Sequence, residues 1–465
     1  MLSLIDWVIL IAYFLAMIYI GIKYGKKETL SGFYVNDRKT SRWKLIFSIV
    51  ATSVGMITVV GGSAEAYRTG ISFAVTGFIA IVAAFLFAGW LVPRIKKFGD
   101  TYNAYTMGDF YNLRYSPANR NLVGIIILIS YIVILAAQMV GVASLAQVFF
   151  GLDFYIGLIL SILITISYTA FAGLRSDIFT DFIQFWIILL SLVGVFIIIL
   201  FKYDGFQLLS SLDARYFDIF AFGGPEFFFA GLILTAPLFL IAMDFWQRVY
   251  ASETKKGLRK TMVISAAFNA PLFLIPCILG LFAVVLYPGL LSGDLALFQL
   301  LNENLPPFFL GLGIAGLLAA AMSTLDSLLM VGSTTFVHDF YKNSGFYKEK
   351  NEKKELKAAR LLVVVYGLIG LIVAFFIPDV LRLGLIANFI LLVLAPSIIA
   401  GFVWKRANAK ASFWSILIGF LVTVALLPFL PKLAFIPGFL VSLIVFVVLS
   451  YTGEHAMTEK VALVD

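Results

Sequence analysis

Thirteen apolar runs alternate with short polar stretches along the chain, at 2–24, 45–67, 71–93, 121–150, 154–174, 178–201, 227–246, 261–287, 307–337, 360–378, 383–404, 411–429 and 433–451. Crossing about 30 Å of hydrocarbon takes roughly 20 helical residues, so the pattern predicts thirteen transmembrane helices with the two termini on opposite sides. Lys and Arg collect on the inner side of a membrane, which tests the alternation. With the N-terminus outside, only Arg68, Lys202, Arg215, Arg382 and Lys432 of the 34 basic residues face outward. The first run has no basic segment before it and is followed by Lys23, Lys26 and Lys27, so it reads as a retained helix rather than a signal peptide. The expectation is an all-α, multi-pass protein of the plasma membrane, with the bilayer as its main partner and the C-terminus in the cytoplasm. The loops at about 94–120, 202–226 and 288–306 and the tail after Tyr451 leave little chain for a soluble domain.

Two runs make poor continuous helices. The second, "IVATSVGMITVVGG", sets Gly55, Gly61 and Gly62 among β-branched residues. The seventh, "ILTAPLFLIAMDFW", has Pro237 near mid-membrane, which removes a donor and frees carbonyls. Segments two and seven are five apart and enter from opposite sides, as a five-plus-five inverted repeat requires, and paired broken helices point to a transporter's binding site. The chain then divides into a first helix and loop (1–44), repeat one (45–202), repeat two (224–405) and C-terminal helices with a tail (406–465), all within one transmembrane unit.

The ninth run carries the densest polar group, "AAAMSTLDSLLMVGSTT" at 319–335. Ala320, Ser323, Thr324 and Ser327 follow i, i+3, i+4, i+7 and share one helix face, with Asp326 about 60° to one side. Carbonyls, hydroxyls and a carboxylate are hard oxygen donors suited to alkali cations. Packing is the competing reading for Ser323 and Thr324, since hydroxyls on small-residue faces often bond to neighbouring helices. Asp181 reads either as a first-turn helix acid or as a functional group. Asp6 and Glu65 sit near outer helix ends and read as solvated. Asp244 beside Arg248 reads as a structural ion pair. The amides Gln138, Gln184, Asn269 and Asn388 fit both interhelical bonding and solute contact.

Composition narrows the function. With 62% hydrophobic and 13% charged residues, the chain lies far from soluble averages. One cysteine, Cys277, excludes a disulfide framework, and His338 and His455 are too few for a zinc centre or a His-dependent nucleophile. No nucleophile, base and orienting group come together, so no catalytic residue is assigned and no enzyme is expected. No GxxxxGK[ST] loop supports ATP coupling. The net charge of +8 is spread between apolar runs rather than gathered on one soluble surface, which argues against nucleic acid. No obligatory protein partner is evident.

Four segments carry a resemblance. "AAAMSTLDSLLMVGSTTFVHDFY", "AGLRSDIFTDFIQ", "DFWQRVYAS" and "SGFYVNDRKTSRW" are similar to motifs of the sodium/solute symporter family, whose members carry proline, pantothenate, sialic acid, sugars and choline. The resemblance spans nearly the whole chain. It implies a LeuT-type core of ten helices in a 5+5 inverted repeat, with one extra helix before it and two after. It implies Na+ as the co-transported ion, held by the carbonyls of Ala51, Val54 and Ala320 and the hydroxyls of Ser323 and Thr324. Some members hold a second sodium, matched here by Asp181, Ser323, Asp326 and Ser327. The partner is a small organic solute between the broken helices, with Ser53, Thr58, Gln138, Thr235 and Phe239 as candidate contacts. Ser53 stands where proline transporters carry an acid, and Thr58 and Thr235 stand where sugar-transporting relatives have larger polar groups. The function expected is sodium-coupled uptake by alternating access. A proton-coupled symporter using Asp326 or Asp181, and a solute sensor without flux, are the alternatives.

Overall fold

The computed structural model describes residues 2–25, 29–169, 173–290, 292–343 and 351–452. The tail beyond Thr452, which holds His455 and the basic Lys460, lies outside them, as does Ala172 at the head of "AGLRSDIFTDFIQ". The described chain is helical, and its one isolated bridge pairs Thr40 with Ser252. In chain order the main helices are α1 (Leu4–Gly25), α2 (Arg42–Ser53), α3 (Gly62–Thr69), α4 (Ile71–Tyr102), α5 (Met107–Arg114), α6 (Pro117–Phe150), α7 (Phe154–Thr169) and α8 (Leu174–Lys202). There follow α9 (Gly224–Leu234), α10 (Met243–Ala251), α11 (Leu258–Leu286), α12 (Phe309–Thr335), α13 (Glu352–Phe376), α14 (Val380–Leu392), α15 (Ala395–Val403), α16 (Ala409–Leu426) and α17 (Phe435–Thr452).

Among the described residues, ten helical stretches are long and apolar enough to span a bilayer, and eleven if the bent pair α2 and α3 counts as one. Among the described residues, the remaining two of the expected thirteen runs are shorter. Helix α7 has 16 residues, and α9 has 11 before the chain leaves helical geometry. Both expected breaks are present. Residues 42–53 and 57–69 meet at a bend of 54°, and between α9 and α10 the chain runs through turns from Thr235 to Ala242. The run at 383–404 is also divided, α14 from α15, just before Pro396.

Helix α12 is the axis of the packing. From Leu310 to Thr335 its residues are buried, apart from a partial exposure at Leu312, and it lies against α8, α6, α1, α13 and α2. Small residues make this possible. A Cβ placed on Gly316 would sit 1.7 Å from Ser191 Oγ of α8, so the two backbones approach at a distance that only glycine permits. The polar group of 319–335 therefore faces protein throughout, not lipid.

Several helices extend past their apolar runs because capping and buried pairing take over where hydropathy ends. Helix α4 continues through Arg94 and Lys96 to Tyr102, with the Lys96 ammonium bonded to Asp100 (2.7 Å) and to the Tyr250 carbonyl (3.1 Å). Helix α6 starts at Pro117 behind a Ser116 cap, and α13 starts behind Asn351.

The reading of Asp6 and Glu65 as solvated is corrected, since Asp6 is 1% and Glu65 4% exposed. Asp6 Oδ1 accepts the N–H groups of Phe308 (2.9 Å) and Gly311 (2.8 Å), so a carboxylate from α1 caps the orphan donors at the start of α12. Glu65 lies between Arg68 (3.7 Å) and Lys432 (3.8 Å). Replacing Asp6 with Ala removes that cap. The expected outcome is a loss of about 1 kcal/mol of stability, read as a lower thermal unfolding midpoint in detergent, and Asp6→Asn should recover part of it.

Candidate ion and solute site

The site is built on the break after α2. Val54 leaves helical geometry (φ −98°, ψ 63°), and the next N–H groups do not return to α2. The Met56 N–H is bonded instead to Gln138 Oε1 of α6 (2.7 Å). Carbonyls at the end of α2 thus lose their helical donors, and side chains replace them. The Ser323 hydroxyl lies 2.9 Å from the Ala51 carbonyl and 3.2 Å from that of Ala320. The Thr324 hydroxyl lies 2.9 Å from the Thr52 carbonyl and 3.1 Å from that of Ala320, while Thr58 Oγ1 donates to the Ser53 carbonyl (3.0 Å). Of the expected sodium ligands, these contacts join Ala51, Ala320, Ser323 and Thr324. Thr52, rather than Val54, supplies the carbonyl that faces Thr324. Gly55 makes room for this, because a Cβ there would fall 2.5 Å from Thr324 Oγ1 and 2.7 Å from Gln138 Oε1. Five hard oxygens from two helices converge here, a donor set that suits an alkali cation.

One turn further along α12 lies a charged layer. Arg248 of α10, 1% exposed, places Nη2 2.8 Å from Asp181 Oδ2 and 3.1 Å from Asp177 Oδ2. The same nitrogen is 2.6 Å from Ser327 Oγ and 2.5 Å from Thr52 Oγ1, and Nε donates to Ser48 Oγ at 2.8 Å. Ser48 in turn donates to Asp181 (2.5 Å), whose Oδ1 is buried with no hydrogen-bond partner among the described residues. Of the four residues proposed for a second sodium, Asp181 and Ser327 meet in this layer, and Ser323 joins them only through its carbonyl, which accepts from Ser327 (2.9 Å). Asp326 takes the Thr169 hydroxyl of α7. Arg248 stands within reach of both aspartates of α8, so Asp181 is an ion-pair partner rather than a helix cap. The pairing read between Arg248 and Asp244 is present but longer, at 4.0 Å.

Beside the break lies a cavity of about 310 Å³ whose wall includes all five candidate solute contacts, Ser53, Thr58, Gln138, Thr235 and Phe239. Sequence reasoning missed several of its polar members, Thr52, Thr76, Tyr131 and Asp244 among them. Tyr131 donates to Asp244, and Asp244, read as purely structural, faces this space. Thr52 and Thr324 also reach the wall, so the oxygen cluster and the cavity share a boundary. Of the ambiguous amides, Gln138, Asn269 and Asn388 line the cavity, whereas Gln184 donates to Tyr13 (3.0 Å) between α8 and α1.

At the far end of α12, His338 Nε2 lies 2.9 Å from Asp109, and Thr106 Oγ1 donates to Asp339 at 2.7 Å. Asp109 lies outside the spans. Burial pushes its carboxyl up, but His338 and the N–H groups of Tyr105 and Thr106 outweigh this and hold it below the usual range. These contacts fix α5 against the end of α12.

Solved structures of similar fold include two transporters. A substrate-bound, outward-open Na+-coupled sialic acid symporter superposes with a TM-score of 0.82, over 97% of this chain and 98% of that one, at 21% identity. A nucleobase-cation-symport-1 family transporter in a closed conformation gives 0.57 over 92% and 96%, at 13%. The fold is the LeuT-type fold. Residues 33–419 match the sodium:solute symporter family, and the chain belongs to that family. Its class is therefore a sodium-coupled membrane transporter and not an enzyme. Similar relatives include the sodium/pantothenate symporter of Escherichia coli (strain K12), 24% identical over 98% of both chains. Another is the sodium/proline symporter of Staphylococcus aureus (strain bovine RF122 / ET3-1), 27% identical over 96% of this chain and 92% of the relative.

Removing Arg248 would leave Asp177 and Asp181 buried and unpaired. Arg248→Met is expected to cost about 3–5 kcal/mol of stability, measured by thermal unfolding in detergent, and adding Asp177→Asn and Asp181→Asn should return most of it.

Proposed function

We propose that the protein imports a small organic solute with sodium by alternating access, with the sodium seated at the end of α2 and the solute in the adjoining cavity. The observation that carries this reading is the convergence of the Ala51, Thr52 and Ala320 carbonyls with the Ser323 and Thr324 hydroxyls at a helix break that also borders the cavity. An ion there joins α2 to α12, and α2 leads through Gly55 into the cavity wall. Sodium binding is thereby tied to the shape of the solute site. The Val54 carbonyl, at the break itself, completes the set once the hydroxyls turn from their carbonyls toward the ion. Ser53, Thr58, Gln138, Thr235 and Phe239 contact the solute.

The proposed orientation has the N-terminus outside and the C-terminus in the cytoplasm, a reading supported by the distribution of basic residues. The proposed core is the repeat 45–202 followed by 224–405. A second sodium on Asp181, Ser323, Asp326 and Ser327 would have to share Asp181 and Ser327 with the Arg248 guanidinium, which already supplies positive charge there. We therefore assign one sodium per cycle in the arrangement described, and the lower set takes part only where Arg248 has turned away. Each charge moved inward gains about 2.3 kcal/mol per 100 mV, and a tenfold gradient adds about 1.4. One sodium can then support a few-hundredfold accumulation of a neutral solute.

Purified protein in proteoliposomes should take up its solute only with an inward sodium gradient, with a Hill slope for sodium near one. Ser323→Ala combined with Thr324→Ala should abolish the sodium dependence of uptake and of sodium-induced thermal stabilisation. Gly55→Ala, which crowds Thr324, should weaken sodium activation by about tenfold or more. Retention of full sodium dependence in the double variant would refute the site.

A further inference from the structure

The cavity wall is chemically one-sided. Among the described residues that line it, Asp244 is the one charged side chain, and no Lys, Arg or His reaches it. Its polar remainder is hydroxyls and amides, and the amides already have partners: Gln138 accepts from Met56, Asn269 donates to Ser53, and Asn388 donates to the Gly384 carbonyl. Aromatic rings make up much of the rest, with Phe73, Phe227, Phe239, Phe273 and Phe389 on the wall beside Tyr131. A solute bearing a free anionic group would find no cationic side chain on this wall. The helix end that could attract an anion, the start of α10, already carries Asp244 in its first turn.

Asp244 is also under-compensated. Its side chain is 21% exposed, with Arg248 Nη1 at 4.0 Å, while the same guanidinium lies closer to Asp177 and Asp181. Three carboxylates thus share one guanidinium, and Asp244, the most exposed of the three, has the longest pairing. Tyr131 donates its hydroxyl to Asp244, which holds the carboxylate in place without neutralising it. A carboxylate facing an aromatic wall is the surrounding that receives organic cations, because ring faces attract positive charge and tolerate its alkyl substituents.

Resting on the sodium-symport reading above, we propose that the solute is a small organic ammonium ion, its positive charge received by Asp244 and the aromatic wall around Tyr131 and Phe239. The apolar part of such a solute lies against the phenylalanines, and Ser53 and Thr58 offer hydroxyls to any polar end.

The test is thermal unfolding and tryptophan fluorescence of the purified full chain in sodium and in potassium. The cationic probes are choline, ethanolamine and putrescine. Against them stand the uncharged carbon isostere of choline, proline, and the anions pantothenate and sialic acid. At least one ammonium probe should stabilise the protein saturably in sodium, with the choline isostere inactive, and Asp244→Asn should weaken that probe's binding by about thirtyfold or more. Comparison of choline with its isostere uses the unaltered protein and so stands even if Asp244→Asn fails to fold, and Asp244→Glu should retain cation selectivity. Failure of every ammonium probe, or equal stabilisation by the isostere, would overturn the proposal. Sodium-driven uptake of pantothenate or sialic acid would overturn it while leaving sodium symport intact. Ammonium binding without sodium-driven flux would do the reverse.

Discussion

The buried guanidinium of Arg248 is the constraint on which the centre of this structure depends. It sits where α2, α8, α10 and α12 meet, within hydrogen-bond distance of Ser48, Thr52, Asp177, Asp181 and Ser327. A charge so far from water persists only when its partners come from every side. Those partners fix the spacing of the four helices. The ends of α2 and α10, both next to broken segments, are held by this one side chain, so the breaks are ordered parts of the structure.

The oxygen cluster above that layer follows from the same need for partners. Backbone groups at membrane depth need internal partners, and a helix that stops at Val54 leaves carbonyls without them. Helix α12 supplies hydroxyls at the spacing that one helix face provides, and Gly55, where a Cβ would fall 2.5 Å from Thr324 Oγ1, leaves room for them at the break. A cation at the proposed site would take the place of these hydroxyl-to-carbonyl hydrogen bonds, the hydroxyls keeping their protons and turning their oxygens toward it. Polar residues that looked anomalous in an apolar run are the compensation for a broken helix in the neighbouring segment.

Much of this was legible in the sequence, and the residues that were not share a reason. Apolar runs located the spans, and glycines and Pro237 located both breaks, because these signals are local. The face formed by Ala320, Ser323, Thr324 and Ser327 followed from periodicity alone. Asp6 was misread because nothing near it indicates that the start of a helix 302 residues away lies against it. Arg248 was paired with its near neighbour Asp244, whereas its closer partners are 67 and 71 residues distant. A signal was available there: Asp177 and Asp181 are four apart on one face of α8, and two such acids in an apolar helix call for a shared cation. The exposure of Asp244 to the cavity depends on how the chain turns between Thr235 and Ala242, and no periodicity encodes that path.

Thr52 belongs to two layers at once. Its carbonyl faces Thr324 in the oxygen cluster at the break, while its hydroxyl lies 2.5 Å from Arg248 in the charged layer. A rotation of the last turn of α2 large enough to withdraw the carbonyl must also carry the hydroxyl off the guanidinium. In the proposed cycle, loss of the ion and loosening of the four-helix junction would then be one mechanical event, coupled through a single threonine.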